Sequence, residues 1–378
     1  MLAPRRRVER AALGNAAHPY AKLWSAGAFD GEIEAARAAL DGWLAPSGLR
    51  VTGNLEQTRW LVDVHGALRG ADLAFSGAGD GDLAGAGELA LVDVPGLAGY
   101  DARAALRTLA AELTAVTGAG RSLQMLRLEL PPALQALAGT PARLARALEG
   151  PAAREALRPQ LAGFAADGRL VLFPPILGLD AAARVRGWLR ETIGCRVAEL
   201  VGSPELALAG FRVDRALCEA LVRAGVVLRT GTAQAVEAAG GRAHAVRVSS
   251  DGAVQTLPLD ALVLATGRYV GGGVVERDGV LREPLLGLPL YDLGGRRLDG
   301  RTPRRSVRHD YEGEQPLFAV GVHGDERLRP LGADGAPRLE NLFAAGELLG
   351  GFDPARERTG LGVALLTGRR AGAEAARC

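Results

Sequence analysis

The chain has 378 residues, of which 48% are hydrophobic and 23% charged, and its formal charge is only +2. That length supports two domains or one large α/β unit with an insertion, and the apolar content excludes a disordered chain. The near-neutral charge leaves no bulk electrostatic case for nucleic acid, and an odd set of three distant cysteines excludes a disulfide framework or a metal cluster.

In chain order, Gly31 to Leu44 has the period of an amphipathic helix stopped by Pro46. Arg59–Val64 and Glu88–Val94 read as strands, the second followed by Pro95-Gly96 and a helix over Asp101–Val116. Gln124–Leu130 is a further strand, closed by Pro131-Pro132. Helices are expected over Pro141–Leu148 and Ala152–Phe164, then a strand at Arg169–Phe173, a helix at Ala181–Ile193 and a strand at Arg196–Val201. This alternation implies α/β rather than an all-helical bundle. Phe211–Ala224 has helical period, and Val226–Leu228 reads as a short buried strand. Ala233–Ala238, Ala243–Ser249 and Ala253–Leu257, parted by Gly240-Gly241 and Asp251-Gly252, read as a β-meander. An apolar strand from Leu259 then ends in Ala265-Thr266-Gly267.

The C-terminal stretch from Leu339 carries the densest pattern. A short apolar run, Leu342–Ala345, is followed by Gly346 and Glu347, a Gly/Pro loop, Gly360-Leu361-Gly362 and an Ala/Leu-rich helix. Glycine turns let backbone approach a ligand, a helix start attracts anions, and a carboxylate at a strand end can accept hydroxyl hydrogen bonds. A strand turning into a packed terminal helix would use the same residues, and spacing alone balances the two readings.

Together these blocks resemble the flavoproteins that include the fumarate reductase and succinate dehydrogenase flavoprotein subunits, through Ala344-Ala345-Gly346-Glu347 and the meander that returns to Ala-Thr-Gly. The narrower resemblance is to the B-subunit family of anaerobic glycerol-3-phosphate dehydrogenase. It rests on His18-Pro19-Tyr20, Val94-Pro95-Gly96-Leu97, Arg282–Leu288, Asp325–Pro330, Glu340–Ala344 and Leu349–Pro354, in family order over nearly the whole chain. The resemblance implies a flavin-dependent oxidation of sn-glycerol 3-phosphate to dihydroxyacetone phosphate, with electrons passed to quinone. Its implied partners are a catalytic subunit that carries FAD and an iron–sulfur subunit that anchors the complex to the membrane. It also implies a cytoplasmic location peripheral to the inner membrane. Its fold would be an FAD/NAD(P)-binding-like, Rossmann-type α/β domain with an inserted α/β cap domain. Residues 1–50, 204–273 and 337–378 would form the flavin domain, and 51–203 and 274–336 the cap. Thr266, Gly267, Gly346, Glu347, Gly360, Leu361 and Gly362 are the expected cofactor-binding residues, whereas the catalytic residues are unassigned and no metal is expected.

Two departures bear on the cofactor. The family opens with a strand and a glycine-rich finger, but Gly77, Gly79, Gly81, Gly85 and Gly87 never give G-x-G-x-x-G, and tens of family residues are expected to be absent before His18. Leu361 also adds bulk at the C-terminal glycine turn. FMN, with one phosphate and no adenosine, is therefore expected over FAD. The alternatives are a cofactor-free assembly component of the complex, or a fumarate-reductase-like enzyme acting on another small anion. His18, His309 and His323 have no carboxylate placed beside them in sequence, so they read as structural, as do His65 and His244. Arg296, Arg297, Arg301, Arg304, Arg305 and Arg308 read as a solvated basic loop, whereas Arg282 and Arg329 lie within the shared motifs.

Overall fold

The computed structural model describes residues 14–24, 29–118, 120–202, 208–298, 300, 307–308, 310 and 315–378. Helices and strands are numbered along the chain from α1 (Pro19–Trp24) and β1 (Val51–Gly53). The fold is mixed α/β. Contacts divide it into two compact units, one from Ala38 to Leu228 and one combining residues up to Arg37 with Arg229–Cys378. The described residues of 274–336 thus pack in the same unit as the C-terminal glycine turn, while helix α8 (Leu208–Arg223) belongs with the first unit.

The first unit is built on a four-stranded parallel sheet in the order β6-β5-β7-β8, from Leu123–Arg127, Glu88–Asp93, Arg169–Phe173 and Arg196–Glu199. Its central strands are continuous apolar runs, as expected where both sheet faces are covered. Alternation sends Ala90, Val92, Val171 and Phe173 into one core cluster and Leu89, Leu91, Leu170 and Leu172 into the other. Helices α5 (Pro141–Ala147), α6 (Pro151–Ala162) and α7 (Ala182–Ile193) cover the first face. Helix α3 (Ala102–Thr117) covers the second, starting from the Asp101 side chain, which accepts the Ala104 N–H. A hairpin, β2 (Arg59–Val62) with β3 (Leu68–Ala71), lies between the strands of a second antiparallel pair, β1 with β4 (Leu73–Phe75), and the sequence pattern indicated only β2.

Helix α2 (Phe29–Leu44) ends where Pro46 predicted. The expected strand Val226–Leu228 does not form. Those residues are irregular and 45%, 73% and 50% exposed, and no described strand pairs with them.

In the second unit the meander forms as read: β9 (Thr232–Ala239), β10 (Arg242–Ser250) and β11 (Ala253–Pro258) are antiparallel neighbours. Strand β12 (Leu262–Leu264) is shorter than the apolar run from Leu259 and pairs in parallel with β17 (Leu342–Ala344). Asn341 fastens this pair to the meander. It is fully buried, its amide accepts the Ala243 N–H, and it donates to the Ala243 and Asp260 carbonyls. That satisfies three backbone groups that apolar surroundings would otherwise leave unpaired. The shared motif Arg282–Leu288 has a comparable use, because buried Glu283 accepts the N–H groups of Leu285, Leu286 and Leu288. Arg329 is held by Asp325 within its own turn, and Arg282 is exposed on β14 (Val280–Arg282).

Candidate functional site

Strands β12 and β17 run in register, Leu264 opposite Ala344, so both deliver their C-terminal turns to the same end of the pair. Ala345 N–H donates to the Leu264 carbonyl and extends the pairing by one residue. Gly346 then reverses the chain with φ +69°, a conformation that would strain other residues, and its N–H is taken by the hydroxyl of fully buried Thr367. Glu347 follows on the surface, with Oε1 3.5 Å from the point a Cβ on Gly360 would occupy.

Arg268, next to Thr266-Gly267, joins the two turns. It is 5% exposed and donates to the carbonyls of Glu347, Leu349 and Phe352 at 3.2, 3.2 and 3.4 Å, with its guanidinium 5.3 Å from the Phe352 ring centroid. Burial lowers its pKa, and the charges of Tyr269, Glu347, Asp353 and Glu357 oppose that shift. The same burial pushes Tyr269 up to about 12. Sequence reasoning missed Arg268. Its position directly after an Ala-Thr-Gly strand end was the one available signal.

Asp353 caps the short helix α9 (Pro354–Glu357) through the Ala355 and Arg356 N–H groups. Helix α10 (Gly360–Ala375) then begins with no side chain capping it, leaving its first N–H groups without intrahelical partners. The hydroxyls of Thr266 and Thr359 are also buried without a partner. Leu361 is 75% exposed, so its bulk points to solvent and does not fill the turn. Gly362 faces buried Tyr20, whose hydroxyl oxygen would lie 2.2 Å from an added Cβ.

Tyr20 arrives with a docked N-terminal segment. Asn15 donates to the Leu293 and Gly351 carbonyls, and His18 packs against Tyr20 and Phe352. His18 is buried, and its Nε2 lies 3.0 Å from Glu357 Oε2 while Nδ1 accepts the Tyr20 N–H. The expectation that no carboxylate stands beside His18 is therefore corrected. Glu357 is 339 positions away, a pairing that sequence proximity could not reveal. His323 is also engaged, stacked on Tyr291, while His309 and Arg301, Arg304 and Arg305 lie outside the described residues.

All seven expected residues thus belong to three adjoining turns: Thr266-Gly267, Gly346-Glu347 and Gly360–Gly362. The protein family described as the FAD binding domain matches residues 9–363. The chain belongs to this family. Among the relatives of this chain, a probable B subunit of anaerobic glycerol-3-phosphate dehydrogenase from Halobacterium salinarum is 38% identical over 226 residues, 59% of this chain and 51% of the relative. The B subunit of anaerobic glycerol-3-phosphate dehydrogenase from Yersinia pestis is 27% identical over 359 residues, covering 92% and 78% of the two chains. The protein of that name from Pectobacterium carotovorum is 29% identical over 359 residues, covering 93% and 79%. The chain spans about half the length of the Halobacterium relative. No solved structure matches it.

The chemistry of these residues suits a ligand that carries hydroxyls and negatively charged oxygens, as the family's flavin does. An uncapped 16-residue helix, two buried hydroxyls without partners and an exposed carboxylate supply donors and an acceptor at these turns. Among the described residues no helix is long and apolar enough to cross a membrane.

Proposed function

We propose that the chain is a flavin-binding counterpart of the B subunit in a complex that oxidises sn-glycerol 3-phosphate to dihydroxyacetone phosphate and passes the electrons to quinone. The observation that carries this reading is the meeting of the three turns in a chain similar to proteins named for that enzyme. The α10 start, Thr266 and Thr359 would donate to the cofactor's oxygens, and Glu347 would accept from its hydroxyls. Arg268 would hold the Glu347–Phe352 loop against the Ala-Thr-Gly turn, fixing the geometry of the rim. A bound flavin would supply the two-electron oxidation, leaving this chain to bind and orient it.

FMN is the proposed cofactor over FAD, because the sequence contains no G-x-G-x-x-G motif to seat a second phosphate. Residues 51–203 would form the inserted α/β cap, while the described residues of 274–336 pack with the C-terminal glycine turn and would belong with the flavin-binding part. The partners would be a catalytic subunit that carries FAD and an iron–sulfur subunit that anchors the complex to the cytoplasmic face of the inner membrane. The absorption spectrum of the purified protein, followed by calorimetric titration with FMN and FAD, tests the reading. Saturable binding with FMN tighter than FAD is expected, and a folded protein that takes up neither flavin overturns it.

One observation favours a second reading, a cofactor-free assembly subunit of the same complex. Tyr20 already occupies the space beside Gly362 in the first turn of α10. The same titration decides between the two.

A further inference from the structure

Each residue of the shared motif His18-Pro19-Tyr20 has its own use in the second unit. Helix α1 starts at Pro19, which has no N–H to leave unpaired in a first turn. His18 stands in the capping position before it, and its Nδ1 accepts the Tyr20 N–H at 2.9 Å. Tyr20 is 4% exposed, and its hydroxyl lies against Gly362 in the first turn of α10. At the other end of this strap, Asn15 holds the Leu293 and Gly351 carbonyls. The fit there is close, because a Cβ on Gly351 would stand 2.4 Å from the Ala17 carbonyl oxygen.

The cap decides which ring nitrogen of His18 carries the proton. An Nδ1 that accepts a backbone N–H has none, so the proton sits on Nε2, which donates to Glu357 Oε2 at 3.0 Å. The other Glu357 oxygen accepts the Asp353 N–H at 2.8 Å, and the Asp353 carboxylate caps α9. Every bond in this chain has one polarity: Tyr20 N–H to Nδ1, Nε2–H to Oε2, Asp353 N–H to Oε1. Only a carboxylate accepts at both ends, and an amide in its place would set two donors face to face at one of them. The chain thus joins the buried strap to α9, which leads through Arg358 and Thr359 into α10. Pro354 of α9 also stands close to that start, its Cβ 3.1 Å from where a Cβ on Gly360 would lie. His18 further packs on Phe352 at 5.6 Å between ring centroids, the ring that the Arg268 guanidinium meets.

We infer that His18 is a positioning residue for the cofactor: held as the Nε2–H tautomer, it fixes α9 through Glu357 and thereby sets the start of α10. That start is where the cofactor's oxygens would be met. The role toward the cofactor rests on the flavin reading, whereas the tautomer and the hold on α9 do not. Tyr20, carried on the same strap, is then a wall beside the first turn of α10 and not a plug.

Two variants of the full chain separate capping from positioning. His18→Asn keeps a side-chain oxygen that can cap α1 but is too short to meet Glu357. Glu357→Gln keeps the size and removes one acceptor. Proton–nitrogen magnetic resonance of the imidazoles reads the tautomer, hydrogen exchange reads the α9–α10 backbone, and calorimetric titration with FMN reads affinity, each below the variant's melting temperature. The Nε2–H tautomer is expected at His18, with faster exchange at Ala355, Arg356 and Val363 in both variants. FMN binding should weaken by about tenfold or more in each, the worth of one hydrogen bond to a charged group. The double variant should lose no more, because both changes break the same bond. An Nδ1–H tautomer, or unchanged exchange in both variants, overturns the hold on α9. Unchanged FMN affinity in both overturns the positioning role, and tighter FMN binding in either makes the strap a plug and overturns it too. A wild-type protein that takes up no FMN overturns the flavin reading and the role toward the cofactor, while tautomer and exchange still decide the hold on α9.

Discussion

Arg268→Met removes the clamp between the two strand-end turns while nearly filling its space. Three buried carbonyls, those of Glu347, Leu349 and Phe352, lose their charged donor, and the cation leaves the Phe352 ring. Hydrogen bonds from a charged group are each worth about 1.5–3 kcal/mol. These three are long, at 3.2–3.4 Å, and their sum is offset by no longer burying a guanidinium, itself a cost of several kcal/mol. The net expectation is a loss of about 2–4 kcal/mol. For a unit in the 150–250-residue range that lowers the melting temperature by about 4–16 °C. Thermal unfolding followed by circular dichroism measures it, and hydrogen exchange localises it to the Gly346–Phe352 backbone. An unchanged melting temperature with unchanged exchange across those residues would refute the clamp, and with it the argument that Arg268 sets the rim.

Gly362→Ala should be strongly destabilising, because its Cβ would lie 2.2 Å from the Tyr20 hydroxyl. Tyr20→Phe should rescue much of that loss, and a double-mutant cycle with no coupling would count against the contact. Thr266→Val and Thr359→Val remove buried hydroxyls that have no partner, so stability should hold or rise slightly, while flavin affinity falls about tenfold for each bond the cofactor made. Equal flavin affinity in both variants would remove these residues from the site. Asn341→Ala should cost about 2–4 kcal/mol in denaturant unfolding by orphaning three backbone groups, and a loss below about 1 kcal/mol would contradict that accounting. Burial alone would raise the Glu149 carboxyl, but the N–H groups of Ala181, Leu179 and Asp180, with the Arg146 charge, more than offset it and lower its pKa. Its stabilisation is therefore present above the unfolded value of 4.5 and lost as pH falls through the lower folded value. Glu149→Gln should flatten acid unfolding in that window, and an unaltered pH profile would assign the dependence to other carboxylates.

Local chemistry explains what the sequence made legible. Strands such as Arg169–Phe173 and helices such as Ala182–Ile193 are long, periodic and bounded by turn residues, so their positions follow from pattern. The three adjoining glycine turns were readable for the same reason, since each is a strand end or helix start. Val226–Leu228 misled because an apolar β-branched run specifies a buried strand only if a neighbour pairs with it. The three-residue strands at Val51 and Leu73 carry too few alternating positions to stand out. The long-range pairs were invisible in principle: His18 with Glu357, Tyr20 against Gly362, and Arg268 beneath the Glu347 loop. Nothing in a residue's own neighbourhood announces a partner 79 to 339 positions away.

That separation has a consequence for biosynthesis. Asn15 binds Gly351 across 336 positions and His18 meets Glu357 across 339, so the Asn15–Tyr20 segment must wait for partners translated that many residues later. At about 5–20 residues per second the delay is tens of seconds, during which the parallel sheet of the first unit can already close. The buried face of Tyr20 stays uncovered over that interval, and a ribosome stalled before Gly360 would release a chain with a finished sheet and no cofactor rim. Cofactor capture is then a late event in the life of the nascent polypeptide, and early termination yields a molecule that is partly folded and exposes surface open to chaperones and proteases.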